Sequence, residues 1–99
     1  MSNWSEHVLQ DRRLVVLRLL TTQEGYTTND SVLQVGLERM GHIVSRDRVQ
    51  SDLAWLAEQD LIELEVVHEK VHVARVTQRG IDVSQGRTTH PGVKRPSPG

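Results

Sequence analysis

The sequence predicts an α+β fold, mostly α: three helices, a two-stranded hairpin and a short closing helix. Three observations lead there. Apolar residues recur at helical spacing in three stretches of the first 60 positions. Near Leu61 the period changes, and β-branched residues alternate in two runs separated by "HEK". The chain has 99 residues, enough for a single domain with one modest core. It has no Phe and only three aromatic residues of the Trp and Tyr types, so that core must be built from Leu, Val and Ile.

Ser5 is positioned to cap a first helix from Glu6 to Leu20, because its hydroxyl can accept a first-turn N–H. Leu9, Val16, Leu17 and Leu20 share one face. Val8, Val15 and Leu19 extend the apolar surface on one flank and Leu14 on the other, leaving a narrow polar strip at Asp11 and Arg18. That arc is wider than a surface helix requires. The helix is therefore either central or shared with a second subunit.

"TTQEGYTTND" is a turn-rich connection, and Asn29 or Asp30 caps a second helix from about Ser31 to Met40. Leu33, Leu37 and Met40 share its inner face with Gly36, where the missing side chain lets another helix approach. Gly41 suits the left-handed residue that ends a helix. Ile43 and Val44 are expected to anchor the following turn in the core. Ser45 then caps a third helix, about Arg46 to Gln59, with Val49, Leu53 and Leu56 as its buried stripe. Trp55 lies off that stripe, at a core edge or an interface. Arg48 and Asp52, four apart, are a candidate local ion pair.

The runs Leu61–Val67 and Val71–Val76 form the hairpin, and Thr77 caps the short closing helix "QRGIDVSQG". Residues 1–86 make up the folded domain. From Arg87 onward, "RTTHPGVKRPSPG" carries three prolines, three basic residues and no acid, and reads as a disordered tail over residues 87–99.

Three helices followed by a two-stranded hairpin is the order of a winged helix-turn-helix, in which the third helix can lie in a major groove. Val49-x-x-Asp52-Leu53-x-x-Leu56 followed by Leu61-Ile62 resembles the recognition-helix-to-wing segment of bacterial winged-helix regulators. Val76-Thr77-x-x-Gly80 resembles the segment leaving the wing in the MarR-like and ArsR-like groups. "DRRLVVLRLL", "SRDRVQSDLAWL" and "PGVKRPSPG" are similar to small ArsR-like winged-helix proteins of Mu-like phages and prophages. The resemblance implies a phage or prophage origin and a transcriptional or phage-development role. The chain departs from the winged-helix pattern at Asp60, where Gly is common. It also lacks the cysteine thiolates with which ArsR-like sensors often hold metals.

The resemblance implies duplex-DNA contacts from Ser45, Arg46, Arg48, Gln50 and Ser51 on the third helix, and from Lys70 on the wing. Arg matches guanine bidentately and Gln matches adenine. The competing reading is a solvated helix face and a solvated hairpin. Charge leaves both open: residues 1–60 carry six basic and nine acidic side chains, residues 61–99 six and four, and the net charge is -1. Any DNA contact must come from local patches. The five histidines follow no zinc-ligand spacing, and no phosphate loop or nucleophile motif is present, so neither a cofactor nor an enzyme is expected. No apolar run approaches the ~20 residues that span a bilayer, and the N-terminus has no signal-peptide pattern. The expected protein is a cytoplasmic DNA-binding homodimer. The alternative is a protein-interaction module, with a phage or host protein as partner and Trp55 as its anchor.

Overall fold

The computed structural model describes residues 3–97. The order is α1 (Trp4–Thr21), a short 3-10 turn (Glu24–Tyr26), β1 (Thr27–Asn29), α2 (Asp30–Arg39), α3 (Arg46–Glu58), β2 (Ile62–Val67), β3 (Val71–Val76) and α4 (Gln78–Ser84). The predicted elements all form. The cap of α1 moves to Asn3, whose side chain accepts from Ser5 N at 2.9 Å, so Ser5 lies inside the first turn. The unpredicted element is β1. It adds a third antiparallel strand in the order β1-β3-β2, with Thr27 opposite Arg75 and Asn29 opposite Val73. Three residues are too few to show an alternation of period two, so the strand was invisible in the sequence.

The core joins Leu14, Val16, Leu17 and Leu20 of α1 to Leu33 and Leu37 of α2, to Val49, Leu53 and Leu56 of α3, and to the inner face of the sheet. Val15 is also buried, and Leu19 packs against that core at Gly36, where a Cβ would come within 2.9 Å of the Leu19 side chain. Of Val8, Val15 and Leu19, the surplus apolar residues expected to be left over for a second subunit, Val15 and Leu19 are thus covered within one chain, and Val8 is half-buried at the surface groove beside the start of α1. Three other expectations change. Met40, expected on the inner face of α2, lies at its C-cap and is 61% exposed. Ile43 is 81% exposed, and Val44 alone secures the α2–α3 turn. Leu9 is half-buried and lines a surface groove, because the N-terminal turns of α1 extend past the core.

One buried ion pair fixes the angle between α1 and α3. Arg12 donates from Nε and Nη2 to the two carboxylate oxygens of Asp52, and both side chains are buried. Asp52 therefore pairs across the fold with Arg12 and not with Arg48. Paired charge and satisfied lone pairs are what make such burial tolerable.

The join between α3 and the wing explains the Thr-x-x-Gly signature. Helix α3 ends with Asp60 at φ +60°, and Asp60 N and Leu61 N donate to the carbonyls of Ala57 and Leu56. This double bond is a Schellman closure. Thr77 Oγ1 donates to Asp60 O at 2.8 Å and accepts from Gly80 N at 3.1 Å, so one hydroxyl ties the α3 end to the α4 start. A Cβ on Gly80 would lie 2.1 Å from Leu61 O. Only glycine lets α4 sit there.

The disordered tail expected from Arg87 meets a packed segment through Ser97, with Pro98 and Gly99 outside the described residues. This strap, residues 87–97, crosses the edge of α1 and α3. Arg13 stacks over Trp55 with its guanidinium 3.7 Å from the ring centroid and donates to Gly92 O at 2.9 Å. His90 meets the same indole edge-on. Val93 is buried in the core, and Lys94 N donates to Gln10 O. The lone apolar residue of the tail proved sufficient because Gly92, at φ +93°, lets the backbone press against Trp55. Asp11 adds a second tie, accepting from Lys94 Nζ at 3.3 Å and bonding His42 Nε2 at 2.7 Å. No helix among the described residues is long and apolar enough to cross a membrane.

Candidate nucleic-acid interface

Helix α3 buries Val49, Asp52, Leu53 and Leu56, so its opposite face turns outward. The centre of that face is Asp47, Ser51, Ala54 and Glu58, all exposed. Arg46 and Gln50 border it on one side, and Arg48 and Trp55 on the other. The six residues singled out by the sequence are therefore brought only partly together.

Ser45 is spent on structure: its Oγ accepts from Arg48 N at 3.1 Å and caps α3. Arg46 is exposed but steadied from α2, donating from Nε to Gln34 Oε1 at 2.7 Å and from Nη2 to Ser31 Oγ at 3.5 Å. Its remaining guanidinium edge is open. Gln50 is half-buried and donates from Nε2 to Asp30 Oδ2 at 2.8 Å. Arg48 is exposed and makes no side-chain hydrogen bond among the described residues. It borders a groove of about 710 Å³ lined also by Trp4, Val8, Leu9, Arg12 and Val44. Ser51 sits at the centre of the outward face. Lys70 is apart from these, exposed at the tip of the hairpin, where His68 and Glu69 both take positive φ to turn the chain.

Two residues of the site escaped sequence reasoning. Asp30 is almost fully enclosed, 1% exposed, at the start of α2, with Oδ1 accepting from Ser31 N at 2.9 Å and Oδ2 from Gln50. Gln34, one turn later, accepts from Arg46 and donates to Val44 O at 3.0 Å. Their spacing of four on a face of α2 carrying few other polar groups was a usable signal, but Asp30 reads equally well as a cap.

The electrostatics are mixed. Asp47 and Glu58 lie on the outward face of α3, and Glu63, Glu65 and Glu69 are exposed on the wing, against Arg46, Arg48, Lys70 and Arg75. On α3 the basic side chains thus lie at the edges of the outward face and the acidic ones at its centre.

The architecture is that of solved winged-helix regulators. The chain is similar to RosR of H. salinarum, with a TM-score of 0.64 and 17% identity over 75% of this chain and 66% of that one. It is also similar to AbsC, a MarR family transcriptional regulator from Streptomyces coelicolor, with a TM-score of 0.59 and 16% identity over 81% of this chain and 58% of that one. It thus spans about two thirds of RosR and less of AbsC. The fold is a winged helix-turn-helix. No family model matches the chain. Protein gp26 of Escherichia phage Mu is 46% identical over 89 residues, covering 90% of this chain and 91% of gp26. A protein of Haemophilus influenzae is 43% identical over 82 residues, covering 83% and 79%. The chain belongs to the family of phage Mu gp26.

Proposed function

We propose that this chain is a non-enzymatic transcriptional regulator of phage or prophage origin that binds duplex DNA in the cytoplasm. The observation that carries the reading is the placement of α3. Its core side is locked by Arg12–Asp52, while Arg46, Arg48, Gln50 and Ser51 remain on or beside its outward face. Arg46 and Gln50 would read base edges, and Arg48 and Lys70 would touch phosphate. The gp26 relationship supports a phage origin, and the fold shared with RosR and AbsC supports a regulatory role. The ArsR-like resemblance extends to fold only, since the chain has no thiolate for a metal sensor.

The reading includes a homodimer, because readers of this shape commonly pair half-sites. With Val15 and Leu19 covered, its surface would be the first turns of α1. Trp4 there is 76% exposed beside half-buried Val8 and Leu9. Sedimentation of wild type and Trp4→Ala tests this, and a wild-type monomer at the concentration of DNA binding removes the dimer.

The experiment for the whole reading is fluorescence anisotropy with DNA from the flanks of the gene at several salt concentrations. Wild type should bind with a steep salt slope, since each neutralised phosphate releases counterions. Arg48→Ala and Lys70→Ala should each reduce that slope by about one. Absence of binding at low salt would reject the DNA reading. It would favour the alternative protein-binding role, for which the specific observation is the acidic centre of α3, Asp47 and Glu58. Trp55, the anchor expected for that role, is already engaged by Arg13 and the strap.

A further inference from the structure

Gln50 is the half-buried side chain of the outward α3 border whose chemistry is fixed by a second helix. A glutamine amide has an acceptor end and a donor end, and which one faces a ligand depends on its neighbours. Here the neighbour is a carboxylate. Asp30, 1% exposed, has Oδ1 committed to Ser31 N at 2.9 Å, and Oδ2 lies 2.8 Å from Gln50 Nε2. An ionised carboxylate only accepts, so the Gln50 amide has one stable orientation, with Nε2 turned to α2. Its Oε1 takes no hydrogen bond among the described residues.

We propose that Asp30 is a positioning residue that makes Gln50 present an acceptor. The chain therefore selects a base bearing an exocyclic amino group, the N6 of adenine or the N4 of cytosine, at the base pair Gln50 meets. This rests on the DNA-binding reading. Cytosine N4 satisfies Oε1 alone. Adenine also offers N7 to the second Nε2 hydrogen and is the better match. Guanine O6 and thymine O4 would face Oε1 acceptor to acceptor and are rejected.

The test exploits the isosteric change Asp30→Asn. The Oδ1 of Asn can keep the Ser31 N bond, which turns Nδ2 toward Gln50. Nδ2 is a donor, so the Gln50 amide must flip and present Nε2. The measurement is selection from a pool randomised across the bound site, followed by anisotropy on single-base variants, for wild type, Asp30→Asn and Gln50→Ala. Wild type should prefer adenine or cytosine at one position by about tenfold. Asp30→Asn should move that preference to guanine or thymine at the same position while other positions stay unchanged. Gln50→Ala should erase it. A residue that merely supports the fold would weaken binding to all sequences alike.

If wild type binds selectively and Asp30→Asn keeps the same base preference, the inference is overturned and the DNA reading stands. If wild type binds no DNA, both fall. The wild-type protein supplies a second readout in case Asp30→Asn does not fold. In its NMR spectrum, one Gln50 side-chain amide proton should exchange more slowly than those of exposed Gln85, whose side chain makes no hydrogen bond among the described residues. Fast exchange there overturns the proposal.

Discussion

Asp52 shows how a single residue can be read correctly in type and wrongly in partner. Sequence spacing offers it Arg48, one turn away, whereas the fold gives it Arg12, 40 positions earlier. Local pairs are legible because helix geometry fixes them, and long-range pairs are settled only when the helices pack. Truncating one partner of a buried ion pair leaves the other charge stranded at a cost of roughly 3–5 kcal/mol. Asp52→Ala should therefore lower stability by about that amount in urea unfolding. Arg12→Met combined with Asp52→Leu should lose much less than the two single changes added. Asp11 gives a pH signature. Burial pushes its carboxyl pKa up, but the hydrogen bonds and charges of His42 and Lys94 outweigh this and leave it below the ordinary carboxylate value. A carboxyl with a depressed folded pKa contributes stability above its unfolded pKa, and that contribution disappears as pH falls through the folded value. Thermal melts from about pH 6 to pH 2 should show a shallower acid limb for Asp11→Asn than for wild type.

The helices and the hairpin were legible because each carries its own periodicity and caps, and each formed within a few residues of the expected bounds. Strand β1 was not, since its existence depends on the edge that β3 offers. Asp60 was legible as a departure from glycine, and its φ of +60° is the reason. Left-handed backbone costs a residue with a side chain roughly 1 kcal/mol, less for Asp than for most. Asp60→Gly should raise the unfolding free energy by up to about 1 kcal/mol, measured in denaturant, because the Schellman bonds and the Thr77 contact use only backbone atoms of that residue. Of the candidate interface, the α3 contributors were legible from the winged-helix pattern. Asp30 and Gln34 were less so: their spacing of four is a signal, but Asp30 reads equally well as the cap of α2, and the partners they act on, Gln50 and Arg46, lie on another helix.

For the whole molecule, composition forecast one small aliphatic core but placed its boundary too early. The strap is not legible in the sequence, because a Pro-rich basic segment with one valine buries too little on its own. Its docking surface is supplied by Arg13 and Trp55, which sit far away in sequence. Gly92→Ala tests how much depends on it. The new Cβ would lie 2.8 Å from the Trp55 ring at a φ of +93°. The variant should lose about 1–3 kcal/mol, and Trp55 fluorescence should shift to the red as water reaches the indole. An unchanged spectrum and melting point would show that the strap contributes nothing to the fold.

Val93 belongs to the core, and Lys94 and Gly92 bond to residues of α1 about 80 positions earlier. A growing chain therefore makes its first helix long before the groups that finish that helix's surroundings exist. On the ribosome α1 can only collapse provisionally, against α2 and α3, with one flank and the Trp55 indole wet. The last clasp closes after nearly the whole described chain has emerged. A premature stop in the strap would thus release a chain with every helix and strand present yet an open seam, a substrate for cellular proteases and not a shortened working protein.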